Sequence, residues 1–221
     1  AGAKNYKAYS KKILKICKKK PESLEVIGDK FIEMIDQGFK ISTWGKNVYV
    51  KIPVVNSKGK FTGKLIKELN QKNIKLNITA VYTAKQSKKI LQCINKKTEV
   101  IISIFAGRSG DVGKDPIPEI KKTILLARKY KNVKILRASV REPYNYLQAQ
   151  QLGCHIITVP PKIIEKIENF GKSFNQLTLE TVKSFLISLE TSWTGKSPPG
   201  REEFAVQASF KSGKNLEISA I

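Results

Sequence analysis

The sequence predicts an α/β fold of the (β/α)-barrel type, on three observations. Six short runs rich in valine, isoleucine and aromatic residues are separated by helical patterns, so strands and helices alternate. The runs are nearly continuous in apolar residues, as the strands of a helix-covered parallel sheet are. None opens into the glycine-rich fingerprint of a dinucleotide-binding sheet, so a barrel accounts for the alternation better than a doubly wound sheet does.

In chain order, the opening "KNYKAYSKKILKIC" reads as a helix, and the first strand is expected at Ser23–Ile27. Helix Lys30–Thr43 follows, then a strand over Val48–Val54, whose "VYVKIPV" is dense in branched and aromatic residues. Helix Gly63–Gln71 leads to a strand over Lys75–Ala80, and helix Ala84–Asn95 to a strand over Val100–Phe105. Helix Pro118–Tyr130, a strand over Lys134–Val140, helix Tyr144–Leu152 and a strand over His155–Val159 complete the alternation. Helical patterns recur over Lys162–Asn169 and Leu177–Leu189. From Thr194 the chain is rich in Gly, Pro and Ser and then polar, the composition of an extended tail. The expected organisation is therefore one barrel domain over residues 1–193 and a tail over 194–221.

Composition narrows the function classes. A chain of 221 residues that is 41% hydrophobic can bury a sizeable core as one domain. It has no apolar run of membrane-spanning length and no visible signal peptide, so no membrane association is expected. Cys17, Cys93 and Cys154 are odd in number and outside any CxxC spacing, which reads as free thiols in a reducing cytoplasm, not a disulfide or metal site. The lone His155 has no ligand-like neighbours. The net charge of +23 invites a nucleic-acid reading, but only five of the 41 basic residues are arginine and the lysines are spread along the chain. No recognised nucleic-acid motif accompanies them, so no specific nucleic-acid partner is expected. The glycine-rich "GRSGDVGKD" is not a phosphate-binding P-loop: the spacing from Gly107 to Lys114 is one residue too long, and Asp115 stands where Ser or Thr is required.

The strands carry an oddity that composition does not explain. Lys51 interrupts the apolar run at residues 47–55, and an ammonium there costs free energy unless paired or put to use. Side chains alternate between the two faces of a strand. On that period Asn77 and Thr79 share one face, Ser103 and Phe105 share another strand's face, and Arg137, Ser139 and Arg141 alternate with Leu136, Ala138 and Val140. Glu25 interrupts the first strand in the same way. Lys51 alone could be a structural ion-pair partner of Glu25. Five strands with polar residues on one face read collectively as a site, because the inward residues near the carboxyl ends of barrel strands are where such sites lie.

The residue types fit one chemistry. A lysine among apolar walls is expected to yield a neutral amine, the nucleophile of Schiff-base formation with a carbonyl substrate. Arg108, Arg141 and Ser139 supply donors suited to a phosphate. Glu25 beside the Thr79 hydroxyl can hold a water for proton relay. The expected chemistry is a Schiff base on a phosphorylated carbonyl compound, with no metal and no organic cofactor.

The ordered blocks "VKIPV", "LNITAVYTAKQ", "ISIFAGRSGDVG", "ILRASVREP" and "GCHIITVPP" resemble the transaldolase family, over roughly residues 23 to 190. The resemblance implies a (β/α)8 TIM barrel of the class I aldolase type in which Lys51 is the Schiff-base lysine. It further implies that Glu25 and Thr79 position the catalytic water and that Asn77 holds the dihydroxyacetone unit. Ser103 and Phe105 match the site wall, and Arg108, Ser139 and Arg141 the phosphate contacts. The implied function is transfer of a dihydroxyacetone unit from fructose 6-phosphate or sedoheptulose 7-phosphate to an aldose phosphate, in the pentose phosphate pathway. A homo-oligomer is expected of the complete protein. The family's first strand carries a catalytic Asp in a Leu-Asp-Thr context, and its second ends in a Thr-Asn-Pro-Ser type motif. Neither is present in this sequence. The chain is therefore expected to lack about 30 to 40 amino-terminal residues of the barrel, to show six strands, and to be catalytically impaired as given. Two other readings stay open. One is a fructose-6-phosphate aldolase, although that branch tends to carry Gln at the position of Glu25 and Tyr at that of Phe105. The other is a non-catalytic barrel remnant acting as a binding protein.

Overall fold

The computed structural model of the protein describes residues 5–194, 206–210 and 216–220. The remainder of the tail expected from residue 194 lies outside the described residues. The chain divides into two compact units, residues 1–168 and 169–221.

In the first unit, α1 (Tyr6–Cys17) precedes an alternation of β1 (Glu22–Glu25), α2 (Phe31–Ser42), β2 (Val48–Pro53), α3 (Gly63–Gln71), β3 (Leu76–Val81), α4 (Ala84–Leu91) and β4 (Val100–Phe105). A single turn, α5 (Ala106–Gly110), follows directly, then α6 (Ile117–Ala127), β5 (Val133–Ala138), α7 (Tyr144–Leu152), β6 (Ile156–Ile157) and α8 (Pro161–Ile167). The six strands form one sheet in sequence order, every neighbouring pair parallel. This is the arrangement of a (β/α) barrel with six strands present.

The expected strands and helices are all found, with shifted ends that have local causes. The capping box of Thr83 and Gln86 starts α4. The helix stops short of Asn95, whose side-chain oxygen accepts from the Lys97 and Thr98 amides and so turns the chain away from the helical path. β5 ends at Ala138, two residues before the expected Val140, because Ser139 adopts a left-handed φ of 62°.

Two layers of side chains hold the sheet. Val50, Ile52, Leu76, Ile78, Ile102 and Ile135 belong to the outer core with Leu65, Ile66 and Leu69 of α3, Ile90 of α4 and Ile120 of α6, all fully buried. These residues alternate along their strands with the inward positions, as the period of two requires. A smaller inner cluster joins Tyr49, Ile101, Leu136 and Ala138, with Phe105 and Ile156 against it. That inner face is concave. Parallel strands lie about 4.8 Å apart, yet the Asn77 amide on β3 reaches past β2 to the Ser23 hydroxyl on β1 at 2.9 Å.

In the second unit, α9 (Phe174–Thr194) begins with a reciprocal cap in which the Ser173 hydroxyl accepts from the Gln176 amide while the Gln176 side chain accepts from the Ser173 amide. β7 (Val206–Phe210) and β8 (Leu216–Ala220) form an antiparallel pair, Val206 opposite Ala220. Among the described residues no helix is long and apolar enough to cross a membrane.

Candidate active site

A cavity of about 970 Å³ runs along the concave face. Lys51, Asn77, Thr79, Ser103, Phe105, Arg108, Ser139 and Arg141 line it. Glu25, the remaining candidate, enters through its contact with Lys51.

The centre is set by register. Lys51 stands directly opposite Glu25 on β1 and opposite Asn77 on β3. Lys51 Nζ donates to Glu25 Oε2 at 3.1 Å, with the lysine side chain 28% and the glutamate side chain 44% exposed. The lysine therefore meets a carboxylate on one side, and its surroundings are more polar than the apolar walls expected from the sequence. A carboxylate at that distance can accept a proton from the amine.

Asn77 is the hub of the polar floor. Its Oδ1 accepts from the Ser103 hydroxyl at 2.7 Å and its Nδ2 donates to the Ser23 hydroxyl at 2.9 Å. These two bonds fix the orientation of the amide, and Asn77 and Ser103 are both buried. The Thr79 hydroxyl is buried without a hydrogen-bond partner among the described residues. An unpaired buried hydroxyl costs about 1–3 kcal/mol, and at a cavity wall it is a group ready for substrate or water. The Phe105 ring closes the side, tilted against Tyr82 with centroids 6.1 Å apart.

The cationic end is built after β4 and β5. The backbone passes from Phe105 into α5, which presents Arg108, and Ser139 and Arg141 follow β5 on the neighbouring strand. These two segments touch intimately: a Cβ on Gly107 would lie 1.7 Å from the Ser139 carbonyl oxygen. Only glycine permits that approach. Arg141 is exposed and bound to Asp111 by Nε at 3.1 and 3.2 Å and by Nη2 at 2.7 Å. The guanidinium holds the Asp111 carboxyl below its ordinary range.

One expectation on β5 is overturned. Arg137 does not share a face with Ser139 and Arg141. It is 3% exposed and donates from Nη2 to Gln148 on α7, whereas Leu136 and Ala138 line the cavity. The strand's parity was inverted by the polar alternation "RASVR", since the left-handed turn at Ser139 lets both Ser139 and Arg141 face inward after a strand of opposite phase. Burial lowers the pKa of Arg137. His155, immediately before β6, lines the cavity and accepts the Ile135 amide at Nδ1, 3.1 Å away.

Ser23, Gly107, Asp111 and Asn145 support the side chains that line the cavity, and the strand pattern does not single them out. Asn145, on α7 and 5% exposed, accepts the Arg141 amide at 3.0 Å. The signal for Gly107 and Asp111 lies in the glycine-rich stretch "GRSGDVGKD".

The sequence profile of the family described as transaldolase/fructose-6-phosphate aldolase matches residues 7–210. The chain belongs to this family. A protein named "Probable transaldolase" from Nitrosopumilus maritimus is 31% identical over 170 residues, 72% of this chain and 73% of the relative. Another of that name from Thermoplasma volcanium is 33% identical over 178 residues, 80% of this chain and 76% of the relative. A solved chain titled "Native KDPGal structure" shares 11% identity, covering 76% of this chain and 94% of its own, with a TM-score of 0.25. That likeness is too slight to bear on fold or function. Within the family, the matched segment includes every candidate residue from Glu25 to Arg141.

Proposed function

We propose that this family member forms a Schiff base through Lys51 with a ketose phosphate and transfers the resulting dihydroxyacetone unit to an aldose phosphate. The observation that carries the reading is the placement of Lys51 Nζ on the cavity wall, with a carboxylate 3.1 Å away, on the concave face that also presents Arg108, Ser139 and Arg141. The reacting carbonyl goes to the lysine and the phosphate to the arginines.

In the proposed reaction the Lys51 amine adds to the C2 carbonyl of fructose 6-phosphate, and loss of water gives the iminium. The C3–C4 bond then breaks with its electron pair flowing into the iminium, while a base removes the C4 hydroxyl proton. Glyceraldehyde 3-phosphate leaves and an enamine of dihydroxyacetone remains. The enamine attacks the aldehyde carbon of erythrose 4-phosphate, and water returned to the imine carbon releases sedoheptulose 7-phosphate and free Lys51. Asn77, locked by Ser103 and Ser23, presents its amide toward the dihydroxyacetone hydroxyls. Glu25 and the free Thr79 hydroxyl handle the water.

Glu25 and Phe105 favour transfer over simple aldolysis, because the aldolase branch of the family tends to carry Gln and Tyr at those positions. Borohydride reduction with fructose 6-phosphate should leave a covalent adduct that peptide mass mapping places on Lys51, and Lys51→Ala should abolish it. An undiminished adduct in Lys51→Ala overturns the assignment. Acceptor-dependent release of product separates transfer from aldolase activity.

A further inference from the structure

Arg141 reaches the cavity from a loop, with about half of its side chain exposed. A free guanidinium there samples many rotamers, and each substrate contact would carry the cost of ordering it. Asp111, immediately after α5, removes that freedom. Its two carboxylate oxygens engage Nε and Nη2 in three contacts of 2.7–3.2 Å, the fork geometry that fixes the plane of an arginine. The main chain is pinned as well, because the buried Asn145 side chain accepts the Arg141 amide at 3.0 Å and donates to Glu142 and Gln148. Arg141 is thus held at its amide and at one edge of its guanidinium. No hydrogen bond to a protein group engages Nη1 among the described residues. Asp111 itself does not line the cavity that Arg141 lines.

We infer that Asp111 is the positioning residue of the phosphate end: it holds the Arg141 guanidinium with its Nη1 edge free to donate to the phosphate of a phosphorylated ketose. The inference rests on the reading of Arg141 as a phosphate contact. It assigns Asp111 an effect on phosphorylated ligands only, since an unphosphorylated ketose makes no use of that edge. A carboxylate placed to compete with the phosphate would have the opposite effect on affinity.

The test compares Asp111→Asn, Asp111→Ala, Asp111→Glu and Arg141→Ala with the parent chain by calorimetric titration of fructose 6-phosphate, inorganic phosphate and fructose. Borohydride trapping with fructose 6-phosphate and with dihydroxyacetone is measured in parallel. Loss of an exposed pair has a modest effect, so Asp111→Asn and Asp111→Ala should weaken fructose 6-phosphate and inorganic phosphate about five-fold. Dihydroxyacetone trapping should be unchanged, and Asp111→Glu should recover part of the phosphate affinity. Unchanged phosphate affinity in Asp111→Asn and Asp111→Ala, alongside weakening in Arg141→Ala, overturns the positioning role and leaves Arg141 as a phosphate contact. Tighter phosphate binding in the Asp111 variants overturns it in favour of competition. Unchanged phosphate affinity in Arg141→Ala overturns both the phosphate reading and the inference built on it. Equal weakening of phosphate binding and dihydroxyacetone trapping would mark general disruption and also overturn it.

Discussion

At Gly107 a single hydrogen in place of a methyl group decides whether the phosphate end can be assembled. A Cβ there would overlap the Ser139 carbonyl oxygen at 1.7 Å and meet Arg141 Cγ at 2.9 Å. The first of these is backbone and cannot rotate away. Gly107→Ala should therefore displace the Ser139–Arg141 segment, with an overpacking cost of about 1–3 kcal/mol. Denaturant titration should show that loss, and fructose 6-phosphate affinity should fall more than dihydroxyacetone trapping, because Lys51 and Asn77 lie on β2 and β3 and are not in this contact. A variant of parental stability and parental phosphate affinity would show that the segment yields without cost. The role of Gly107 was hidden in the sequence for a physical reason: a glycine-rich stretch announces a turn, but not which backbone will come within contact of it. Lys51 was more legible, because a charged residue in an apolar strand violates burial on its own evidence.

Strands and the loops before them show where sequence periodicity holds and where it fails. On β2, β3 and β4 the period of two set Lys51, Asn77, Thr79, Ser103 and Phe105 along one cavity, on β3 because its break in register against β4, with left-handed Ala80, comes only after the inward positions are placed. On β5 the same rule failed at Arg137, because a left-handed residue beyond the strand resets the phase and has no mark in a serine. The end of α4 was likewise set by the bonds of the Asn95 side chain, which periodicity does not encode. The amino ends of the strands hold a second device of this kind. Glu99, just before β4, pairs with Lys75 before β3 at 3.0 Å and lies 3.8 Å from Lys134 on β5. These contacts, with the Lys75 hydrogen bond first, hold the Glu99 carboxyl below its usual pKa, and a bond from the Tyr49 hydroxyl adds to them. A carboxyl whose pKa is lower in the folded state stabilises above its unfolded value of about 4.3 and loses that contribution as pH falls through the folded value. The group is 41% exposed, so solvent screening limits its worth to about 0.5 kcal/mol. Glu99→Gln should lower urea-unfolding stability by that amount at neutral pH, and the gap should narrow in acid. A constant gap across that range would place the stabilisation elsewhere than in the ionised carboxylate.

For the whole molecule the decisive feature is the order of the sheet. β1 and β6 stand at its two ends, and among the described residues neither pairs with a second strand. A barrel removes edges by closing on itself, which requires consistent strand number, tilt and shear. A six-stranded parallel sheet in sequence order leaves two end strands, and unpaired backbone groups along such a strand can recruit another chain, although at β1 the Glu25 carbonyl already accepts from the Tyr6 hydroxyl at 3.1 Å. The edges differ. β1 holds four ladder positions against β2, from Glu22 to Glu25, whereas β6 holds only two against β5. The longer ladder at β1 is the better template, because each added residue contributes further backbone pairs in register. It also lies beside the site, through Ser23 and Glu25. The 221-residue chain should therefore self-associate with rising concentration, and sedimentation velocity should show species larger than 24.8 kDa. Proline at Ser23 removes a ladder donor from β1, and a corresponding substitution at Ile157 does the same for β6. Pairing through β1 predicts that Ser23→Pro suppresses association more strongly than Ile157→Pro, provided circular dichroism shows both variants folded. Added dihydroxyacetone, bound near Lys51, should leave the association constant unchanged if only backbone edges are engaged. A chain that stays monomeric at all concentrations would show that its edges are covered, and would remove the sheet order as a cause of assembly.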